Sequence, residues 1–108
     1  MSFKVLATSD FEKDAKSLLK KYKSLKNELL DLIVSLEDDP TQGTPLGSDC
    51  YKIRIAIKSK GKGKSGGARV ITCIKVMDGF VYLLTIYSKS EKENISDKEL
   101  QRLLKNLD

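Results

Sequence analysis

Lys52, Arg54 and Arg69 are the side chains whose types and spacing could do chemistry. In YKIRIAIK (51–58) apolar and polar residues alternate, as in a half-buried strand. Tyr51, Ile53, Ile55 and Ile57 share one face; Lys52, Arg54, Ala56 and Lys58 share the other. In ARVITCIKVM (68–77), Val70, Thr72, Ile74 and Val76 lie together, opposite Arg69, Ile71, Cys73 and Lys75. Pairing the two strands with their apolar faces inward brings Arg69 beside Lys52 and Arg54. FVYLLTIY (80–87) is apolar on both sides. If Tyr82, Leu84 and Ile86 are core, Thr85 and Tyr87 join the cations, with Lys89 just beyond. Such a face binds a phosphate backbone and can stack a base.

The segment KSKGKGKSGG (58–67) joins the first two of these strands. Gly61, Gly63 and Gly66 satisfy G-x-G-x-x-G, but a dinucleotide site needs a following helix, and a strand follows here. Gly63-Lys64-Ser65 resembles the end of a phosphate-binding loop, yet the required first glycine would fall on Lys58. A kinase glycine loop needs a catalytic loop that is missing. The loop therefore reads as a binding element: Lys58, Lys60, Lys62 and Lys64 attract phosphates without regard to sequence.

The elements around these residues follow from periodicity. FKVLA (3–7) fits a strand. Ser9 and Glu12 have capping-box spacing, and Phe11, Ala15, Leu18, Leu19 and Tyr22 recur at helical intervals. Leu25, Leu29, Leu32, Ile33 and Leu36 continue the pattern, predicting a helical hairpin over 10–22 and 25–37 that ends before Pro40. PTQGTPLGSD (40–49) reads as a loop. Asp78-Gly79 marks a hairpin turn. Ser96 and Glu99 cap a last helix carrying Leu100, Leu103, Leu104 and Leu107. The predicted order is β-α-α-β-β-β-α, an α+β fold.

Composition narrows the class. The 108 residues suit a single domain spanning 1–108, and 40% hydrophobic residues suffice for one core. There is no histidine, so Ser-His and Cys-His mechanisms are excluded. Two cysteines without CxxC spacing cannot make a four-ligand zinc site; no metal or cofactor is expected, and Cys50 and Cys73 read as buried free thiols. A formal charge of +5 suits an anionic partner. No apolar run approaches the roughly 20 residues of a membrane span, so no membrane partner is expected, and cytoplasmic location is the default.

Asp49-Cys50-Tyr51-Lys52-Ile53-Arg54, Gly67-Ala68-Arg69-Val70-Ile71 and Tyr82-Leu83-Leu84 through Ile86-Tyr87-Ser88-Lys89 resemble the RelE/HigB superfamily, toxins of type II toxin–antitoxin modules. The resemblance covers nearly the whole chain. It implies a helical hairpin packed on a small, mostly antiparallel, curved sheet with a C-terminal helix. It also implies metal-independent cleavage of mRNA in the ribosomal A site by attack of the ribose 2′-OH on the adjacent phosphate. A cognate antitoxin, mRNA and ribosomal RNA are the implied partners. Lys52, Arg54, Arg69 and Lys89 match basic positions of the family, whereas Ser90 stands where it has a second arginine and Ser96 where some members have tyrosine.

Under that implied chemistry Arg69, assisted by Arg54, would clamp the developing phosphorane. The base would be Lys52 or Tyr87, since arginine stays protonated. Lysine and tyrosine sit near 10 unperturbed, and neighbouring cations lower both. Lys89, or the lysine not used as base, would protonate the leaving oxygen or bind phosphate. A RelE-like protein that binds RNA or a partner without cutting is the alternative.

Overall fold

The computed structural model describes residues 2–61, 63 and 66–107. The chain runs β1 (Lys4–Ala7), α1 (Ser9–Lys21), α2 (Leu25–Asp38), β2 (Thr44–Gly47), β3 (Cys50–Ile55), β4 (Ala68–Lys75), β5 (Phe80–Ser88) and α3 (Asp97–Lys105). The sheet order is β1-β5-β4-β3-β2; β1 pairs parallel to β5 and the remaining pairs are antiparallel. Lys62 and Lys64 lie outside the described residues. No helix among the described residues is long and apolar enough to cross a membrane.

The predicted α+β architecture stands, with one strand more than expected. Residues 44–47 pair with β3 as an edge strand instead of forming a loop. Pro45 misleads here, because a proline reads as a loop signal yet is tolerated where its ring faces away from the ladder. Ser48 and Asp49, at φ 54° and 61°, close the β2–β3 hairpin with two left-handed residues, the requirement of a type I′ turn.

Phe11, Ala15 and Leu18 of α1 and Leu25, Leu29, Leu32 and Leu36 of α2 recur every three or four residues and are buried, so the hairpin lays one apolar stripe on the sheet. They pack on Ile53, Ile55, Val70, Ile74, Val81, Leu83 and Ile86. The α1 cap is Thr8, one residue before the expected Ser9: its Oγ1 accepts from the Phe11 N–H at 3.1 Å and donates to the Leu83 carbonyl at 2.9 Å. The Ser96 cap on α3 is as predicted, accepting from the Glu99 N–H at 3.1 Å.

The second face of the sheet is covered by α3. Leu100 and Leu103 pack with Cys50, Ile71, Cys73, Leu84 and Tyr87. The regular alternation expected along residues 80–87 fails at one place: Ile71 pairs with Thr85 but Thr72 with Leu83, leaving Leu84 as an extra residue. A bulge of this kind reverses the facing of everything beyond it. Val81 and Leu83 therefore share the hairpin core with Ile86, whereas Leu84 and Tyr87 face α3. Tyr82, expected in the core with Ile86, packs against the α3 cluster.

A methyl group on Gly67 would run into the Ile55 carbonyl oxygen, while one on Gly63 would meet nothing within 4 Å. Gly67→Ala should destabilise the fold by about 2–4 kcal/mol and Gly63→Ala by under about 1 kcal/mol, read from urea midpoints. Equal effects would show that the approach of residue 67 to β3 is not constrained.

Candidate functional site

The strand register assembles the site. Arg54 on β3 is directly opposite Arg69 on β4, and Arg69 is directly opposite Tyr87 on β5. Opposed residues share a face with Cβ atoms roughly 4.5–5.5 Å apart. Two guanidiniums and a phenol thus form one row across the three central strands. Lys52 stands in the next row on that face, opposite Ile71. Lys89 carries the ladder one step past β5, its N–H donating to the Gly67 carbonyl at 3.1 Å. Like charges directly opposed weaken a sheet.

The predicted cations converge, but not in a fully open hollow. Arg54 is exposed and Lys52 half-buried. Arg69 is only 3% exposed and Tyr87 4%. The Arg69 Nη1 donates to the Ala68 carbonyl at 3.2 Å. Tyr87 is buried because α3 brings Leu100 and Leu103 onto its side of the sheet. Lys52 is oriented by Asn94, whose Oδ1 accepts from Nζ at 2.9 Å.

Tyr87 differs from the expectation in its acidity. Burial pushes the phenol above its ordinary value and Glu99 adds to the rise; Arg69 and the nearby Ile95 backbone pull the other way and do not prevail. The approach to Ile95 is too poor in geometry to count as a hydrogen bond, and the buried oxygen has no well-formed partner among the described residues. Lys92 Nζ lies over its ring, 4.8 Å from the centroid, and is itself bonded to Glu99 at 2.7 Å. Lys92 lies in a polar connection with no periodicity, so nothing in the local pattern marks it; its meeting with Glu99 is set by where α3 docks.

The glycine–lysine loop begins as a docked turn. The Lys58 N–H donates to Glu28 Oε2 at 2.7 Å and the Ser59 N–H to Ser24 Oγ at 2.9 Å, anchoring residues 58–60 to the start of α2. Lys60 Nζ donates to Ser88 Oγ at 3.1 Å, at the end of β5. Lys58 remains exposed.

Three clefts border the row. One, of about 490 Å³, is lined by Gln42, Gly43, Thr44, Lys52, Ile53 and Arg54 and holds two cations with no acid. A second, of about 380 Å³, meets Arg54 from the α2 side and sets Glu28 and Asp31 against Arg54 and Lys58. The third, of about 550 Å³, borders Tyr87 and sets Asp14, Glu91 and Glu99 against Lys13 and Lys92. Only the first presents cations without acids to a polyanion. Among the described residues no cluster of three or more His, Cys, Asp or Glu is placed to hold a metal ion.

The buried phenol makes a testable statement about pH. The folded state holds the Tyr87 proton more tightly than the unfolded chain does. Its contribution to stability is therefore whole below the unfolded value and is lost as pH climbs toward the folded one. Tyr87→Phe should leave stability at pH 7 unchanged, or raise it by up to about 1 kcal/mol, because an unpartnered hydroxyl is removed. Above pH about 10 the variant should lose less stability than the parent chain in urea titrations. A variant that is less stable at pH 7 would mean the hydroxyl has a partner.

The solved structure of a double-arginine mutant of E. coli toxin RelE in the free state is similar to this one, with a TM-score of 0.64 at 14% identity and 99% of each chain covered. That likeness is one of fold. A family model described as the RelE toxin of the RelE / RelB toxin–antitoxin system matches residues 3–107. With nearly the whole sequence matched and the sheet, hairpin and C-terminal helix arranged alike, the chain belongs to the RelE toxin family.

Proposed function

We propose that this chain is the toxin of a toxin–antitoxin pair and acts as a ribosome-dependent mRNA endonuclease. The observation that carries the reading is the Arg54–Arg69–Tyr87 row, with Lys52 and Lys89 at its margins. Cleavage removes the ribose 2′-OH proton, forms a bond from that oxygen to the adjacent phosphorus, and breaks the bond to the 5′ oxygen, which then takes a proton. Arg54 and Arg69 are spaced to clamp the phosphorane oxygens as charge builds. Tyr87, held protonated by burial, is suited to give its proton to the leaving 5′ oxygen; Lys52, on the accessible side, is left as the base. Lys89 binds the neighbouring phosphate.

Tyr87 is reached only if the α3 segment yields. That helix spans 9 residues, and its polar ties to the rest of the chain are few: Lys92 to Glu99 at 2.7 Å, part-buried, and the outer pairs Arg102 to Asp10 at 3.9 Å and Asn106 to Asp10 at 3.1 Å. Exposed pairs of this kind contribute roughly 0–1 kcal/mol. The leucines contribute more, roughly 1.5–3 kcal/mol each. A surface as large as the ribosome offers contacts enough to displace them. An antitoxin would occupy the same basic face, and ribosomal RNA would meet the lysine-rich loop.

The burial of Tyr87 also favours a second reading, in which the chain binds RNA through Lys52, Arg54 and the loop without cutting it. Induced expression decides between them. Growth arrest with mRNA cleavage, relieved by Arg69→Ala, supports the nuclease; arrest without cleavage supports the binder.

The division of labour is separately measurable. In single-turnover cleavage on ribosomes, Arg69→Ala should slow the chemical step by roughly 10²–10³-fold. The combined variant Lys58→Ala, Lys60→Ala, Lys62→Ala, Lys64→Ala should weaken binding and flatten its salt dependence while leaving the saturated rate within about threefold. A larger chemical defect in the loop variant would refute the assignment.

A further inference from the structure

Cys50 and Cys73 take no part in the cationic row, yet they are opposed in the same β3–β4 register. Both are free and buried, each 1% exposed. The Ile74 N–H donates to the Asp49 carbonyl at 2.9 Å. That bond joins the residue after Cys73 to the residue before Cys50. It makes the cysteines a non-hydrogen-bonded pair, the kind whose Cα atoms lie roughly 4.5 Å apart with side chains closest. Disulfides span Cα separations of roughly 4.4–6.8 Å, so this backbone already permits one. The sulfurs converge as well: the Ser48 carbonyl oxygen is 3.5 Å from Cys50 Sγ and 4.0 Å from Cys73 Sγ.

We propose that Cys50 and Cys73 are an oxidation site, a dithiol that a hydroperoxide closes to an intrachain disulfide tying β3 to β4. The Cys73 thiolate attacks a peroxide oxygen and the O–O bond breaks. The departing oxygen takes a proton to leave as water or an alcohol, and Cys73 becomes a sulfenic acid. The Cys50 sulfur then attacks Cys73; the S–S bond forms, the S–O bond breaks, and hydroxide leaves as water with the Cys50 proton. The two thiols give up two electrons and two protons, and the peroxide receives them.

The surroundings fit the order of events. The two thiols are coupled: a hydrogen bond between them favours the thiolate on one, drawing Cys73 below the ordinary thiol value with Lys75 helping, and disfavours it on the other, so that Cys50 is pushed up by that bond and by burial. Both S–H groups also face the Ser48 carbonyl. The Ser48-Asp49 turn beside the sulfurs is exposed, so a molecule of peroxide size has a short way in. Closure would hold the two cation-bearing strands in register even with α3 displaced, and its chemistry is independent of RNA cleavage.

The folded, reduced chain is treated with hydrogen peroxide, denatured, and alkylated with a maleimide before its intact mass is read. The expected product carries no maleimide, is lighter than the reduced chain by two hydrogens, runs as one chain, and reverts with dithiothreitol. Its Tm should rise by on the order of 10 °C. Cys50→Ser under the same treatment should show neither the mass loss nor the Tm rise. Oxygen added to either sulfur as the main product, cross-links between chains, two thiols still open to maleimide, or an oxidised chain with unchanged Tm would each overturn the proposal.

Discussion

Strand β4 is buried on both faces from Ala68 to Ile74, and its register with β3 and β5 is the constraint on which the site depends. Val70 and Ile74 pack under the helical hairpin, while Ile71 and Cys73 pack under α3. A slip of one residue would exchange these sets and expose both. The same register that keeps the two cores closed sets Arg69 between Arg54 and Tyr87. The row is thus fixed by the same hydrophobic burial that closes both cores.

The bulge at Leu84 supplies the remaining degree of freedom. Val81 and Leu83 face the hairpin, and uninterrupted alternation would send Tyr87 the same way. One extra residue turns it to the arginine side. β-bulges re-aim side chains beside functional sites in this manner. The cost is visible in the site itself: a guanidinium and a phenol oxygen stand in a nearly dry environment, each 4% exposed or less.

Helix α3 mediates between the two. It closes the second apolar cluster with Leu100 and Leu103 and covers Tyr87 at one end of the row. The hairpin and sheet bury the larger core without it. The anchoring of the loop start on α2, through Glu28, Ser24 and Ser59, holds Lys58 and Lys60 at the other edge of that core.

The sequence by itself determined the helical hairpin, the three long strands, the last helix with its Ser96 cap, and the convergence of Lys52, Arg54 and Arg69. Each is a consequence of local periodicity, since apolar residues at 3.6 or 2 intervals can be buried in only one way. What only the tertiary structure decided was β2, the bulge at Leu84, the burial of Arg69 and Tyr87, and the meeting of Cys50 with Cys73. An edge strand made of proline, glycine and threonine carries no periodic signal, and an extra residue inside an all-apolar run leaves no mark in composition. Burial of a cation depends on which distant helix covers it. Tyr87 shows the difference most clearly: local alternation could place it beside arginines and predict a lowered pKa, but the packing of α3, about ten residues further along the chain, removed the water and reversed the sign.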